Sequence, residues 1–431
     1  MKNFNSWNNL PSSNFKREYF EYKNNQSLIY SNKKVIPRGL GRSYGDVCIN
    51  DNGKLILTNK LNSILDFDIN NGVIECESGI SINELLNSII PKNWFLPVVP
   101  GTSFVTIGGA VANDIHGKNH HKLGSFGNSI LSFEILRSDG EILNCSPSEN
   151  SNLFYATIGG LGLTGLILSI KIQLIKINNP YINSGSQRFY SLSEFFAINS
   201  EMERKYDYTV SWVDFNNRKG LRGIYHYGNH SEKLSSFTKH KTQRFSLSFP
   251  FTPPFSFVNN LTLKILNSVY FYINRNKNNE LQNYRSFFFP LDIIRNWNRA
   301  YGNKGFYQYQ FVVPIKSAEH VINLVVDELH NNNHIPALGV LKTFGEIESL
   351  GLLSFPKKGL TLAIDIQNKG NKTLNMLDKL DEIILSNNGR LYPAKDCRMS
   401  AHTFKQSFRD FDKFSNFVDP EFSSTFFERI I

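Results

Sequence analysis

Apolar and polar residues alternate along short segments of residues 35–175, and glycines separate these segments. Alternation of this kind places one face of a strand against a core. It predicts strands in KVIPR, KLILT, GVIECESG, SFEILRSDGEILNC and LTGLILSIKIQLI. The segment SINELLNSII instead has apolar residues at helical spacing after a serine, which predicts a short helix. Short strands mixed with helices indicate an α+β domain.

The pattern changes from about Tyr181, where glycine becomes rarer and aromatic and β-branched residues dominate the alternating segments. Strands are predicted in YDYTVSWVDF, GIYHYG, GFYQYQFVVP and LTLAIDIQ. Helical spacing marks SLSEFFAINSEMERKY, SAEHVINLVVDELHNNN and KTLNMLDKLDEIILSNNG. The sequence therefore predicts a second domain, an antiparallel sheet with helices between its strands.

Composition narrows the class of protein. The 431 residues are 41% hydrophobic and 19% charged, enough for a packed core, and the net charge of +10 allows nucleic acid, an anionic membrane or an anionic ligand as partner. Neither an apolar signal region nor an apolar run of about 18 residues is present, so we expect no secretory signal and no transmembrane helix. Four scattered cysteines indicate a reducing compartment and argue against zinc modules and disulfide scaffolds: Cys48, Cys76, Cys145 and Cys397.

One stretch of the second domain fits no regular pattern. Basic SEKLSSFTKHKTQR is followed by FSLSFPFTPPFSF, rich in Phe and Pro, and then by the amphipathic, basic NNLTLKILNSVYFYINRNKNN. It is either a loop over the core or a surface that docks on a membrane or covers a lipid substrate, because apolar and basic faces together favour an anionic interface.

The first glycine-rich motif, PRGLGRSYGD, directly follows the predicted strand KVI. Gly39, Gly41 and Gly45 let the backbone turn tightly, so that its amides can face phosphate oxygens. The spacing G-x-G-x-x-x-G differs from the Rossmann fingerprint, and no long helix follows. A purely structural turn is an equally open interpretation.

The second motif, PGTSFVTIGGAVANDIHG, predicts a short helix whose first amides are available to an anion. The run from His116 to His121 suggests a metal site, but Gly117 interrupts helical presentation, so no metal is predicted. A third motif has Gly160, Gly162 and Gly165 at Rossmann spacing, yet a strand pattern follows it, which favours a simple loop. Together the loops indicate a cofactor with a pyrophosphate.

Three long segments carry a specific resemblance: RGLGRSYGD, VVPGTSFVTIGGAVANDIHGKNHHKLGSFGN and GRLYPAKD. They resemble the decaprenylphosphoryl-β-D-ribose 2′-oxidase-like enzymes, which are FAD-linked oxidases of vanillyl-alcohol-oxidase type. The resemblance implies a PCMH-type FAD-binding domain of two subdomains in residues 1–178 and an inserted substrate domain in 179–389. Residues 390–431 would then return to the FAD-binding domain.

The resemblance also implies which residues contact FAD. They are Arg38, Gly39, Leu40, Gly41, Arg42, Ser43, Tyr44, Gly45, Asp46, Gly101, Thr106, Ile107, Gly108, Gly109, Asn113, Asp114, Ile115, His116, Ile167 and Tyr392. Some relatives bond a histidine of the first loop covalently to the flavin. Arg42 occupies that position here, so we expect non-covalent FAD.

The reaction implied is oxidation of the 2-hydroxyl of a ribose on a polyprenyl phosphate to a 2-keto sugar. By resemblance, Lys395, Tyr44 and His116 are the catalytic candidates, with Lys395 as base or as holder of an anion. Substrate candidates are Lys395, Lys342, Gln308 and Gln310, the two glutamines because alternate strand positions share a face. Relatives carry a cysteine where this chain has Ala363, which puts sensitivity to thiol-directed inhibitors in doubt.

Expected partners are the lipid-linked sugar phosphate, a short-chain reductase and a peripheral membrane surface. The reductase would act on the keto product and complete an epimerisation to arabinose for cell-wall polysaccharide. The expected location is the cytoplasm, including the inner face of the cell membrane. Two alternatives stay open. One is an FAD oxidoreductase of a soluble polyol or aldonolactone. The other is a basic membrane- or nucleic-acid-binding protein without flavin, although nucleic acid is not needed to account for the charge.

Overall fold

The computed structural model describes residues 4–10, 17–22, 33–218, 220–232 and 247–431. Most of the basic segment SEKLSSFTKHKTQR lies outside these residues. Within the described ranges, no helix combines the length and the apolar character that crossing a membrane requires.

The first half of the chain builds two small sheets and one isolated strand pair. A three-stranded parallel sheet has the order β1-β3-β2, a five-stranded antiparallel sheet has the order β4-β5-β9-β7-β8, and β6 pairs with β10. The bounds are β1 Glu18–Glu21, β2 Val35–Arg38, β3 Lys54–Leu57, β4 Ile64–Asp68, β5 Val73–Glu77, β6 Trp94–Phe95, β7 Ile130–Leu136, β8 Ile142–Cys145, β9 Leu166–Gln173 and β10 Ile175–Lys176. The segments predicted as strands here are all strands.

The second half builds one eight-stranded sheet, in the order β15-β11-β13-β12-β18-β19-β17-β20. Its neighbours all run antiparallel, as the alternating aromatic segments predict. The bounds are β11 Tyr181–Phe189, β12 Tyr208–Asp214, β13 Arg222–His230, β14 Leu247–Ser248, β15 Lys277–Asn283, β16 Ile294–Arg295, β17 Phe306–Val313, β18 Gly339–Phe344, β19 Gly359–Gln367 and β20 Arg390–Leu391. Strands β14 and β16 form a separate parallel pair.

The helices are short in the first half and longer in the second. They are α1 Ile82–Ile89, α2 Ile107–Ala112, α3 His120–Leu123, α4 Ser151–Thr157, α5 Leu192–Lys205, α6 Asn260–Ile273, α7 Tyr284–Phe288, α8 Ile315–Asn331, α9 Asn371–Ser386, α10 Ala401–Ser407, α11 Phe411–Ser415 and α12 Thr425–Ile430. The start of α1 can be predicted from neighbouring residues alone, because it is a capping box. The Ser81 side chain caps the amide of Glu84, and the Glu84 carboxylate accepts from the Ser81 amide at 2.8 Å.

The third glycine motif ends at Gly165 and leads directly into β9, so the strand interpretation is confirmed there. The architecture as a whole is the predicted α+β fold, consistent with a PCMH-type domain. The end of the chain returns to its beginning, because Phe422 bridges to Val35 and the Arg429 guanidinium pairs with the buried Asp46 carboxylate. The exact domain boundaries stay a prediction.

Candidate active site

A cavity of about 1090 Å³ lies between the two glycine-rich loops and the eight-stranded sheet. Its volume lies just above the range of about 300–1,000 Å³ that is typical of small-molecule sites. All predicted catalytic and substrate residues line it. So do most of the predicted cofactor residues: Gly39, Leu40, Gly41, Arg42, Ser43, Tyr44, Gly101, Thr106, Gly108, Gly109, Asn113, Ile115, His116, Ile167 and Tyr392.

The first glycine-rich loop touches the second one at Gly39. A Cβ atom there would lie 2.3 Å from the Thr106 hydroxyl oxygen, so any side chain would separate the two loops. Gly41 has φ +62°, which glycine adopts without strain. Among the described residues, none supplies a hydrogen-bond acceptor to the five successive amides of 39–43. This loop therefore presents a row of backbone donors, as the anion-binding interpretation requires.

The amides at the start of α2 serve a different purpose. The Ile107 amide donates to the Ile80 carbonyl at 2.9 Å and the Gly108 amide to the Ser78 carbonyl at 2.7 Å. The Gly109 amide is capped by the Thr106 side chain. The prediction that these amides are available to an anion is wrong, because the neighbouring loop and the capping hydroxyl already satisfy them.

Five predicted cofactor residues do not line the cavity: Arg38, Gly45, Asp46, Ile107 and Asp114. The Arg38 guanidinium donates to the Asn5 and Cys48 carbonyls, and Ile107 is fully buried in the core. A Cβ atom at Gly45 would collide with the Asp396 carbonyl.

The two carboxylates among these five hold loops in place. Asp114 accepts from Ser125 Oγ, Ser354 Oγ and the Gly127 amide at 2.6–2.8 Å. Asp46 pairs with Arg429 of the C-terminal helix. The structure thus gives both residues a scaffolding role around the cavity.

Arg42 belongs to the first glycine-rich loop and lines the cavity. Its guanidinium carbon lies 4.0 Å from the Trp7 ring centroid and 5.3 Å from that of Phe104. Its Nε atom is buried and, within the described ranges, lacks a hydrogen-bond partner. A guanidinium between two aromatic rings is held rigidly and keeps donors for a ligand in the cavity.

Lys395 ends a short 3₁₀ turn, Pro393–Lys395, that follows the edge strand β20. Its ammonium nitrogen lies 4.0 Å from the centroid of the Tyr44 ring. Burial lowers the pKa of Lys395 to about 8, and the Asp365 carboxylate opposes this shift. A lysine with this pKa exchanges a proton near neutral pH, which an exposed lysine does not do.

A buried chain of polar side chains supports this lysine. The Gln308 amide donates to Asp365 Oδ1 at 2.7 Å, and the two residues are register partners on β17 and β19. Burial raises the pKa of Tyr44, and the neighbouring Gln308 opposes this shift. Burial also raises the pKa of Asp365 to about 7, while Gln308, Lys395 and Tyr301 oppose that shift. Four titratable groups therefore lie close enough to influence one another's pKa through Asp365: Lys395, Tyr44, Tyr301 and Asp365 itself.

His116 faces a second hydrogen-bonded group. Its Nε2 atom lies 3.1 Å from the Gln310 amide nitrogen, which also contacts the Thr361 hydroxyl at 3.3 Å. Burial lowers the pKa of His116, and the neighbouring His120, Lys395 and Lys342 lower it further. The imidazole is therefore neutral, so Nε2 accepts the Gln310 proton and Nδ1 carries the ring hydrogen.

The three histidines of this region point to different partners. His120 Nδ1 accepts from the Gly345 amide, and His121 Nε2 faces the Tyr206 carbonyl. No group of metal-ligating side chains able to hold a metal ion occurs in the described part of the chain.

Two lysines occupy another wall of the cavity. Lys342 donates to the Lys118 carbonyl at 2.7 Å, and Lys118 donates to the Phe287 carbonyl. Burial lowers the pKa of Lys342 to about 8. Burial lowers the pKa of Lys118 to about 7, and the positive charge of Lys342 acts in the same direction. The Glu203 carboxylate opposes the shift of Lys342, and no carboxylate contributes to that of Lys118. Two buried amines with so little compensating negative charge suit an anionic ligand.

Three residues of the site were not predicted from the sequence: Lys118, Asp365 and Asp292. Lys118 directly follows Gly117, the last residue of the second motif, so its place in the sequence beside predicted site residues could have marked it. Asp365 is the one charged residue of the mostly apolar strand β19, and a buried acid is unusual. Asp292 accepts from Thr102 Oγ1 and from the amide and hydroxyl of Ser103, and so clamps the second glycine-rich loop. No local pattern marks such a long-range contact.

The family model described as "FAD binding domain" matches residues 28–146, which hold both glycine-rich loops. The free amides of 39–43 and the buried, unpaired polar atoms of Arg42, Asn113 and His116 fit such a group. Fold and site together define a flavoprotein, an FAD-linked oxidoreductase of vanillyl-alcohol-oxidase type that acts on CH–OH groups.

A more specific relationship covers nearly the whole chain. Decaprenylphosphoryl-beta-D-ribose oxidase of Mycolicibacterium smegmatis is 36% identical over 400 residues, 90% of this chain and 86% of that protein. The chain belongs to this family. An uncharacterized Streptomyces coelicolor protein is 29% identical over 79% of this chain and 96% of its own length. The Delta(24)-sterol reductase of Rattus norvegicus is 34% identical over 27% of this chain and 22% of its length.

Proposed function

We propose that this enzyme oxidises the 2-hydroxyl of a ribose carried on a polyprenyl phosphate and yields a 2-keto sugar. The observation that carries the proposal is the 36% identity over 90% of the chain to a decaprenylphosphoryl-ribose oxidase. The site supports it, since all four substrate candidates, Lys395, Lys342, Gln308 and Gln310, line one cavity.

The oxidation removes a hydride from the sugar C2–H and a proton from its hydroxyl. Bound FAD supplies the hydride acceptor. Lys395 accepts the proton, because its pKa of about 8 leaves a usable fraction of neutral amine. The Tyr44 ring lies beneath the ammonium group, and the hydrogen-bonded pair Gln308–Asp365 lies close by.

The remaining polar groups orient the substrate. Neutral His116 and Gln310 bind sugar hydroxyls, and Gln308 assists them through its amide group. Lys342, together with Lys118, attracts the phosphate, since two buried cations favour an anion. These groups come from β17, β18 and the second glycine-rich loop, so the sugar lies where the sheet meets the loops.

FAD is held non-covalently in this proposal. Arg42, in place of the histidine used by some relatives, cannot form their bond to the flavin. The guanidinium instead lies against Trp7 and Phe104, where its charge faces the cavity.

The keto sugar must then be reduced by a separate short-chain dehydrogenase/reductase to complete an epimerisation to arabinose for cell-wall polysaccharide. We further propose that the enzyme works in the cytoplasm and peripherally at the inner face of the cell membrane, where a lipid-linked substrate is found.

Product analysis tests the reaction. Purified enzyme is incubated anaerobically with polyprenyl-phosphoryl ribose while the flavin absorbance is followed, and the product is reduced with borodeuteride for mass spectrometry. We expect flavin bleaching and one deuterium at the sugar C2 position, with Lys395→Met as the inactive control. Bleaching by soluble polyols or aldonolactones alone would favour the other FAD oxidoreductase.

A further inference from the structure

The α6 helix exposes an apolar face. Only Leu263, Asn267 and Phe271 of this helix are buried against the protein body. The outward side chains are 42–70% exposed: Leu261, Ile265, Leu266, Val269, Tyr270, Tyr272 and Ile273. An amphipathic helix normally turns such residues inward, so this face lacks the covering that its composition requires.

The segment before α6 extends the apolar area. Leu247, Phe251, Phe255 and Phe257 are 51–71% exposed, and β14 pairs with β16 beside the exposed residues 293–294. Eleven of the 26 exposed large apolar side chains in the described residues fall within 247–273. We call the exposed side chains of 247–257, α6 and 293–294 the α6 surface. Single exposed apolar residues scattered over a protein are normal. A concentration of them in one area, as on the α6 surface, is typical of an interaction site.

The charged residues in the sequence between 233 and 279 all have one sign. Between Glu232 and Glu280 the sequence contains no acidic residue. It contains seven basic ones: Lys233, Lys239, Lys241, Arg244, Lys264, Arg275 and Lys277. Lys264, on α6, and Arg275 and Lys277, just after it, belong to the described residues. Apolar side chains beside such cations complement a bilayer with anionic headgroups. A helix of 14 residues is too short to span a bilayer and suits a position in its interface.

The α6 surface is continuous with the cavity. Tyr270 and Asn274, at the end of α6, line the cavity, as do Ile294 and Arg295 of β16. A lipid chain could therefore pass from a bilayer at the α6 surface to the cavity along one apolar wall. Arg295 lies beside this path and offers a cation to a phosphate.

We propose that the α6 surface docks on an anionic bilayer and that the lipid-linked substrate reaches the cavity between α6 and residues 290–297. The route of the substrate rests on the function proposed above, whereas docking itself does not. A second copy of the chain, or the reductase partner, is the competing occupant of this surface.

The test compares matched variants by vesicle sedimentation. The double variant Leu261→Gln/Ile265→Gln removes two exposed apolar side chains of the α6 surface, and Lys264→Glu reverses its charge. The control Leu65→Gln/Ile142→Gln changes two similarly exposed residues, on β4 and β8, away from it. Vesicles are pure phosphatidylcholine or equimolar phosphatidylcholine and phosphatidylglycerol.

We expect wild type and control to bind the anionic vesicles and to lose affinity as salt rises. The double variant should bind at least about tenfold more weakly, since each aliphatic side chain buried in the interface adds to affinity. Flavin content and turnover of a short-chain substrate in detergent should be unchanged, while turnover of vesicle-embedded substrate falls.

Three outcomes would overturn the docking proposal. Wild type could fail to sediment with anionic vesicles, or the double variant could bind as well as the control. Alternatively, light scattering could show that wild type is a dimer that Leu261→Gln/Ile265→Gln converts to a monomer, without vesicle binding. Vesicle binding by an enzyme that oxidises no polyprenyl-phosphoryl ribose would instead contradict the proposed function and leave docking intact.

Discussion

The lowered pKa of Lys395 makes the rate of flavin reduction depend on pH in a defined direction. Three titratable groups face this lysine: Asp365, Tyr44 and His116. His116 is neutral and Tyr44 remains protonated near neutral pH, so the lysine and Asp365 titrate in the accessible range. If neutral Lys395 is the base, the rate rises with pH and levels off above about pH 8.

The structure sets the size of the effect. With a pKa of about 8 instead of the ordinary 10.5, the neutral fraction of Lys395 at neutral pH is roughly 300-fold larger. Replacing the lysine by methionine removes the base while keeping a chain of similar length. General-base catalysis contributes about 10²–10⁴ in rate, so Lys395→Met should slow flavin reduction by that factor.

The assay is anaerobic stopped-flow spectroscopy, which measures the rate of flavin reduction by polyprenyl-phosphoryl ribose over a range of pH. Lys395→Arg keeps the charge and is the matched variant: it should be as slow as Lys395→Met if the lysine is a base. Asp365→Asn should move the rising limb to lower pH, since the Asp365 carboxylate raises the pKa of Lys395. A rate that does not change with pH would refute the role of Lys395 as base. An active Lys395→Arg enzyme that binds substrate tightly would also refute it, and would favour a role in holding an anion.

Three further outcomes are expected. Gly39→Ala places a Cβ atom 2.3 Å from Thr106 Oγ1 and should lower the FAD content, measured from flavin fluorescence after unfolding; full flavin content would contradict the loop contact. Arg429→Met leaves the buried Asp46 carboxylate unpaired and should lower the free energy of unfolding by about 3 kcal/mol in denaturant titration, whereas the exposed-pair control Arg218→Met should change it by less than about 1 kcal/mol. Acid precipitation of the yellow protein should release all flavin into the supernatant, and colour retained in the pellet would mean a covalent bond.

Local sequence pattern predicts most of the secondary structure. Segments such as GFYQYQFVVP and LTLAIDIQ become β17 and β19 because a period of two places one face of each in the core. The long motifs also locate the glycine-rich loops and Lys395. These features need only neighbouring residues, or a motif that is specific as a whole.

Contacts between distant segments set the chemistry of the site. Gln308 is predicted as a sugar ligand, and its pairing with Asp365 depends on the register of β17 against β19. The amides of α2 are predicted to be free, and the carbonyls of Ser78 and Ile80 occupy two of them. A one-dimensional pattern carries no information on which acceptor arrives from another segment.

The sequence by itself determines the α+β class, the FAD-binding loops and the lysine that the reaction needs, since propensity, periodicity and motif are local properties. Only the tertiary structure decides that Lys395 lies over Tyr44 with a lowered pKa, and that Lys118 and Lys342 share one cavity wall. It also decides that α6 presents its apolar residues outward. Burial and pairing arise when residues far apart in the chain meet, and they set the pKa of each group and the exposure of each face.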